Sequence, residues 1–107
     1  MVQQITARQL DALLRSDVPA PQLLDVRESW EVGVCRLTGS THIPMRQVPA
    51  ALAALDAERP IVVICHHGIR SQQVALFLDQ RGFRQVINLQ GGIDAWAREV
   101  DADIATY

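Results

Sequence analysis

The tightest constraint on how this chain folds is a run of four β-branched apolar residues, Ile61, Val62, Val63 and Ile64, directly behind Pro60. β-Branched side chains favour extended backbone, and four in succession leave no polar face. Such a strand must be covered on both sides, as in the middle of a parallel sheet. The run stops at Cys65-His66-His67-Gly68-Ile69-Arg70, and Ser71 to Leu78 then reads as a helix with Val74, Phe77 and Leu78 on one stripe. A cysteine therefore ends a central strand, above a short loop that feeds a helix N-terminus. In open α/β sheets that is where ligands bind.

The backbone of such a loop has its own chemistry. Successive N–H groups turned inward make a concave anion site, and the helix dipole adds partial positive charge. A thiol held there is expected to lose its proton more easily than a free cysteine, and the Arg70 guanidinium favours the thiolate further. Gly68 lets the loop fold without a Cβ clash. The competing reading is that a cysteine ending a buried strand is simply a small apolar side chain. The polar, glycine-containing, arginine-closed loop favours chemistry instead.

The stretch Cys65-His66-His67-Gly68-Ile69-Arg70-Ser71 resembles the Cys-x-x-Gly-x-Arg-Ser active-site loop of the rhodanese family of sulfurtransferases. Leu23-Leu24-Asp25-Val26-Arg27-Glu28 resembles that family's Asp-Val-Arg-Glu segment, and Leu89-Gln90-Gly91-Gly92-Ile93-Asp94-Ala95-Trp96 its Gly-Gly-x-x-x-Trp segment. The resemblance implies a persulfide relay on Cys65. Sulfane sulfur would come from thiosulfate or a persulfide, and would pass to cyanide, a cellular thiol or a thiol protein. His66, His67, Gly68, Ile69, Arg70 and Ser71 are then the substrate-binding loop, with Arg70 orienting the donor. Asp25 and Arg27 are read as hydrogen-bonding supports. Adjacent histidines are expected to point in different directions and to suit zinc poorly, so no metal or other cofactor is implied. One segment departs from the family: Cys35 and Arg36 stand where it has Gly-His. Cys35 is either a passive small residue or a second thiol that resolves an oxidised Cys65, and His42 reads as a hydrogen-bonded structural histidine.

Four residues separate Cys65 from Arg70, one fewer than the Cys-x5-Arg loop of cysteine phosphatases. That disfavours a phosphatase or arsenate reductase, since a tetrahedral phosphate needs the wider ring. A catalytically silent rhodanese-like binding module is the other alternative. All ten basic residues are arginine, which excludes lysine Schiff-base chemistry. A net charge of −2 argues against general nucleic-acid or membrane-surface binding. No stretch approaches the ~20 apolar residues of a membrane span, the N-terminus lacks a signal-peptide core, and a reducing cytoplasm is expected. Two cysteines make neither a disulfide scaffold nor a zinc site.

With 49% hydrophobic residues, residues 1–107 are expected to form a single α/β domain, a mostly parallel sheet of about five strands with helices on both faces. Thr6 and Gln9 form a capping box for a first helix bearing Leu10, Leu13 and Leu14. Strands are expected over Gln22 to Val26 and Phe83 to Leu89, a short helix capped by Ser29, another over Ala50 to Ala57, and a last one over Ile93 to Val100. Residues 101–107, acidic and without periodicity, read as a loosely held tail.

Overall fold

The computed structural model describes residues 1–107. The chain alternates β1 (Gln3–Ile5), α1 (Ala7–Arg15), β2 (Gln22–Asp25), α2 (Ser29–Val34), β3 (Thr41–His42), a 3-10 helix (Met45–Ala54), β4 (Ile61–Ile64), α3 (Ile69–Gln80), β5 (Val86–Leu89) and α4 (Gly92–Glu99). The five strands form one sheet in the order β1-β5-β4-β2-β3, and every pairing is parallel. β4 lies at the centre, its four residues wholly buried.

The unbroken apolar run divides by period two. Ile61 and Val63 pack with Val74, Ala75 and Leu78 beneath α3, where Leu52 and Leu55 also contribute. Val62 and Ile64 face the opposite layer, with Ala7, Leu10, Ile93 and Trp96 of α1 and α4. Each fully buried valine, leucine or isoleucine among them contributes roughly 1.5–3 kcal/mol of transfer free energy, so a polar residue on either face would open the core. Cys65 continues the alternation on the α3 side.

Helix α1 begins on the capping box read from the sequence: Gln9 N–H donates to Thr6 Oγ1 at 3.2 Å, and Thr6 N–H to Gln9 Oε1 at 2.9 Å. Several boundaries differ from the expected ones. The segment before β4 is a 3-10 helix from Met45, kinked at Ala51, rather than a helix over Ala50 to Ala57. Pro49 lies inside it, and a proline there removes one N–H and blocks an α-helical ladder. β5 starts at Val86 because the Phe83 N–H closes the end of α3 on Leu78 O at 3.2 Å. Helix α2 is capped by Glu28, not Ser29, and the Glu28 N–H donates to Glu31 Oε1 at 3.0 Å. The tail is not loose at its end. Tyr107 is half-buried, and its hydroxyl is hydrogen-bonded to Glu31 and Arg27. A single aromatic anchor of this kind leaves no periodic trace in sequence.

The start of α4 grips the loop after β4. Ile93 N–H donates to Cys65 O at 2.9 Å and Asp94 N–H to His66 O at 3.0 Å. This approach requires Gly92, which has φ +62, and a Cβ there would stand 2.5 Å from Cys65 O. Gly92→Ala is expected to destabilise the fold by roughly 2–4 kcal/mol through left-handed backbone and overpacking together, read as a lower midpoint in urea. Gly33, with nothing within 4 Å of an added Cβ and inside α2, is the control: Gly33→Ala should stabilise by up to about 1 kcal/mol.

Candidate functional site

The carboxyl ends of β4 and β2 set Cys65 beside the segment that begins at Asp25, with Asp25 opposite Ile64 in register. Gly68, at φ +101, is the N-cap of α3, and its N–H donates to Cys65 Sγ at 3.0 Å. A Cβ at Gly68 would come within 3.2 Å of Gly91 N and 3.3 Å of Leu89 O. Of the loop amides it is Gly68's that donates to the sulfur, so the expected ring of several donors is reduced to one amide, with one hydroxyl beside it. The hydroxyl belongs to Ser71, whose Oγ lies 3.3 Å from Sγ. The thiol is closed off from bulk solvent, with Cys65 only 1% exposed.

Ser71 is tied in turn to Asn88 of β5, donating its proton to Asn88 Oδ1 at 2.5 Å. Asn88 Nδ2 donates to Gly68 O at 3.2 Å and to Gln4 Oε1 at 2.9 Å. With its proton on Asn88, the Ser71 oxygen has a lone pair to offer a Cys65 S–H, whereas a thiolate would compete for that proton. Asn88 thus ties Ser71 to the Gly68 carbonyl. Its signal was present in the chain, as a lone amide in the otherwise apolar Val86-Ile87-Asn88-Leu89, since buried polar groups are kept for their hydrogen bonds.

The Arg70 guanidinium, expected to orient the donor, is engaged by a carboxylate. Its two terminal nitrogens donate to Glu31 of α2, Nη1 to Oε1 at 2.6 Å and Nη2 to Oε2 at 2.8 Å. The Glu31 side chain is buried, with 4% exposure, while that of Arg70 is 36% exposed. A bidentate guanidinium–carboxylate pair is a strong, directional contact. The Arg70 hydrogen bonds hold the Glu31 carboxyl well below its usual 4.5, at about 2, against the opposing effect of burial. Arg70 is correspondingly raised, first by its hydrogen bonds to Glu31. Glu31 was not singled out in the sequence, although its place three residues after the helix cap marks it as a first-turn acid.

A second ion pair is more deeply buried. Asp25 Oδ1 accepts from Arg27 N–H at 3.1 Å and Nε at 2.9 Å, and Oδ2 from Nη2 at 2.7 Å. Both side chains are fully buried. Arg27 also donates to Cys35 O at 2.7 Å, Glu31 O at 3.3 Å and the Tyr107 hydroxyl at 3.0 Å, so a single guanidinium gathers β2, α2 and the C-terminal segment. His42 Nε2 lies 2.7 Å from Arg27 O. Burial pushes the Tyr107 phenol up to about 12, and the phenol donates to Glu31 Oε2 at 2.8 Å.

The remaining loop residues form the rim. Ile69 is 72% exposed. His66 and His67 do not diverge: their rings lie 4.0 Å apart at 30°, and the Tyr107 ring stacks on His66 at 4.0 Å. Burial, with help from His67, lowers the His66 pKa. Ligand atoms of His66, His67 and Asp94 lie within 4.8 Å of one another. That is wider than the roughly 3.3 Å edge of a tetrahedral zinc site with ~2.0 Å bonds, so the set must contract to hold an ion. Both cysteines are free thiols. Cys35 Sγ lies 3.8 Å from Arg27 Nη1, and Arg36 closes its own loop by donating to Ser40 O at 2.8 Å. No helix is long and apolar enough to cross a membrane.

Residues 6–99 match the Rhodanese-like domain family. A protein of Pseudomonas paraeruginosa named thiosulfate sulfurtransferase GlpE is 36% identical over 85 residues, covering 79% of this chain and 77% of that one. A protein of Allochromatium vinosum named sulfurtransferase is 34% identical over 98 residues, covering 92% and 91%. Among solved structures, SSP1007 of Staphylococcus saprophyticus superposes with a TM-score of 0.84 at 30% identity, over 92% of this chain and 96% of that one.

Because the folded-state pKa of Glu31 is depressed, its pairing stabilises the protein fully above pH 4.5 and loses that effect as pH falls toward about 2. Glu31→Gln should therefore be less stable than the wild type at neutral pH. The gap should close as pH falls through that window, in paired denaturation curves. Removing Asp25 instead strands a buried guanidinium, and Asp25→Ala is expected to cost about 3–5 kcal/mol in the same assay.

Proposed function

The chain belongs to the rhodanese-like domain family and is a sulfurtransferase, and from that premise we propose that it moves sulfane sulfur through a persulfide on Cys65. The donor is thiosulfate or a persulfide, and the acceptor is cyanide or a thiol, small or protein-borne. The observation that carries this reading is the Gly68 N–H aimed at Cys65 Sγ from the N-cap of α3. A fixed dipole pointed at a sulfur stabilises negative charge there without reorganisation during the reaction. Ser71 supplies a second hydrogen-bonding group at 3.3 Å.

Transfer takes two displacements. The Cys65 thiolate attacks the outer sulfur of the donor, and the donor's S–S bond breaks. Its electron pair departs with sulfite or a thiolate. The enzyme then carries Cys65–S–S⁻. An acceptor nucleophile attacks the terminal sulfur, the new S–S bond breaks, and Cys65 is returned as thiolate. The two steps need no outside oxidant or reductant.

The test is the mass of the intact protein after incubation with thiosulfate or with glutathione persulfide. A gain of one sulfur atom, retained in Cys35→Ser and lost in Cys65→Ser with the fold unchanged, is expected. A thiol left unmodified by both donors would make the chain a binding module. Hydrolysis of an aryl phosphate that disappears in Cys65→Ser would replace the reading with a phosphatase.

A further inference from the structure

The charges around Cys65 bear on which of the two donor classes the site accepts. Each arginine of the site is already matched by a buried carboxylate, Arg27 by Asp25 and Arg70 by Glu31. On α4, Asp94 lies 4.0 Å from His67 and is itself paired with Arg98 at 3.2 Å. His66 is pushed toward its neutral form by burial. The sulfur thus has an amide and a hydroxyl beside it, and Arg27, Arg70 and Arg98 are each paired with a carboxylate.

Thiosulfate brings two negative charges to a thiolate that already carries one, and it releases dianionic sulfite. Its use calls for a cation at the departing group. A thiol persulfide brings at most one negative charge at its sulfur atoms, and none when protonated, so it makes a smaller demand. Cys65–S⁻ attacks the outer sulfur of R–S–SH and the S–S bond breaks toward R–S⁻. The proton of the outer sulfur passes to that thiolate, giving Cys65–S–S⁻ and R–SH. One negative charge enters this step and one leaves it.

We propose that Glu31 sets donor choice, by holding and neutralising Arg70 so that the site favours thiol persulfides, which bring at most one charge at the reacting sulfurs, over dianionic thiosulfate. This rests on the sulfur-transfer reading above. Glu31 touches no reacting atom and acts through Arg70 as a positioning residue. Its buried, bidentate geometry fixes the guanidinium in place while removing its net charge.

The experiment compares kcat/KM for glutathione persulfide and thiosulfate with a common acceptor, in the wild type and in Glu31→Gln. The wild type is expected to favour the persulfide by roughly tenfold or more, the worth of one charge-assisted hydrogen bond. Glu31→Gln, which leaves Arg70 uncompensated, should raise thiosulfate use relative to persulfide by a similar factor. An unchanged ratio in a folded Glu31→Gln protein, or equal use of both donors by the wild type, would overturn the proposal.

Should that variant not fold, ionic strength decides on the wild type alone. Thiosulfate kcat/KM rises or stays level with salt when like charges meet without a free cation, and falls if Arg70 attracts the dianion. A fall overturns the proposal. Persulfide-driven sulfur uptake on Cys65 shows separately that the transfer reading stands. Its absence with both donors removes that reading, and this one with it.

Discussion

The site hangs on two hydrogen bonds at the mouth of the sheet, from the first amides of α4 to the carbonyls of Cys65 and His66. By claiming those carbonyls, α4 turns one side of the loop outward and leaves the other side for N–H groups. Gly68 can then aim its amide at the sulfur. Two glycines make this possible for different reasons. Gly68 adopts a left-handed conformation at the start of α3, and Gly92 admits backbone atoms where a side chain would collide. The sulfur's surroundings are thus set by backbone direction, which is rigid, rather than by mobile charged side chains.

A layer of charges lies around this backbone frame, nearly all of them matched. Asp25–Arg27 is buried within the fold, and Glu31–Arg70 joins α2 to the first turn of α3. Tyr107 bridges the two pairs through its hydroxyl and covers His66 with its ring. Buried charges are tolerated only when paired and hydrogen-bonded, and here each lends its partner to a different element. The result ties strand ends, loop and C-terminal segment into one polar assembly above an apolar core. It also means that an arginine in the loop is not in itself a positive site.

The features legible in the chain were local or periodic. A β-branched run, a capping box and glycines at strand–helix junctions each state their geometry within a few residues. The residues that escaped, Glu31, Asn88 and Tyr107, make hydrogen bonds across 39, 17 and 76 positions of separation. Asn88 left a trace, because an amide among buried aliphatics must find partners. Tyr107 left none, since an aromatic in an acidic, aperiodic segment looks like any exposed terminus. The 3-10 helix was misplaced for a related reason: Pro49 marks where an α-helix fails, but not which turn replaces it.

By itself the sequence determined the architecture and the position of the nucleophile, because a strand that is apolar on both faces can only lie inside a covered parallel sheet, and a cysteine ending it must reach the rim. Tertiary structure alone decided what surrounds that sulfur. Pairing among charges is a matter of which side chains meet in space. One guanidinium can face a ligand or a buried carboxylate with the same seven-residue loop around it.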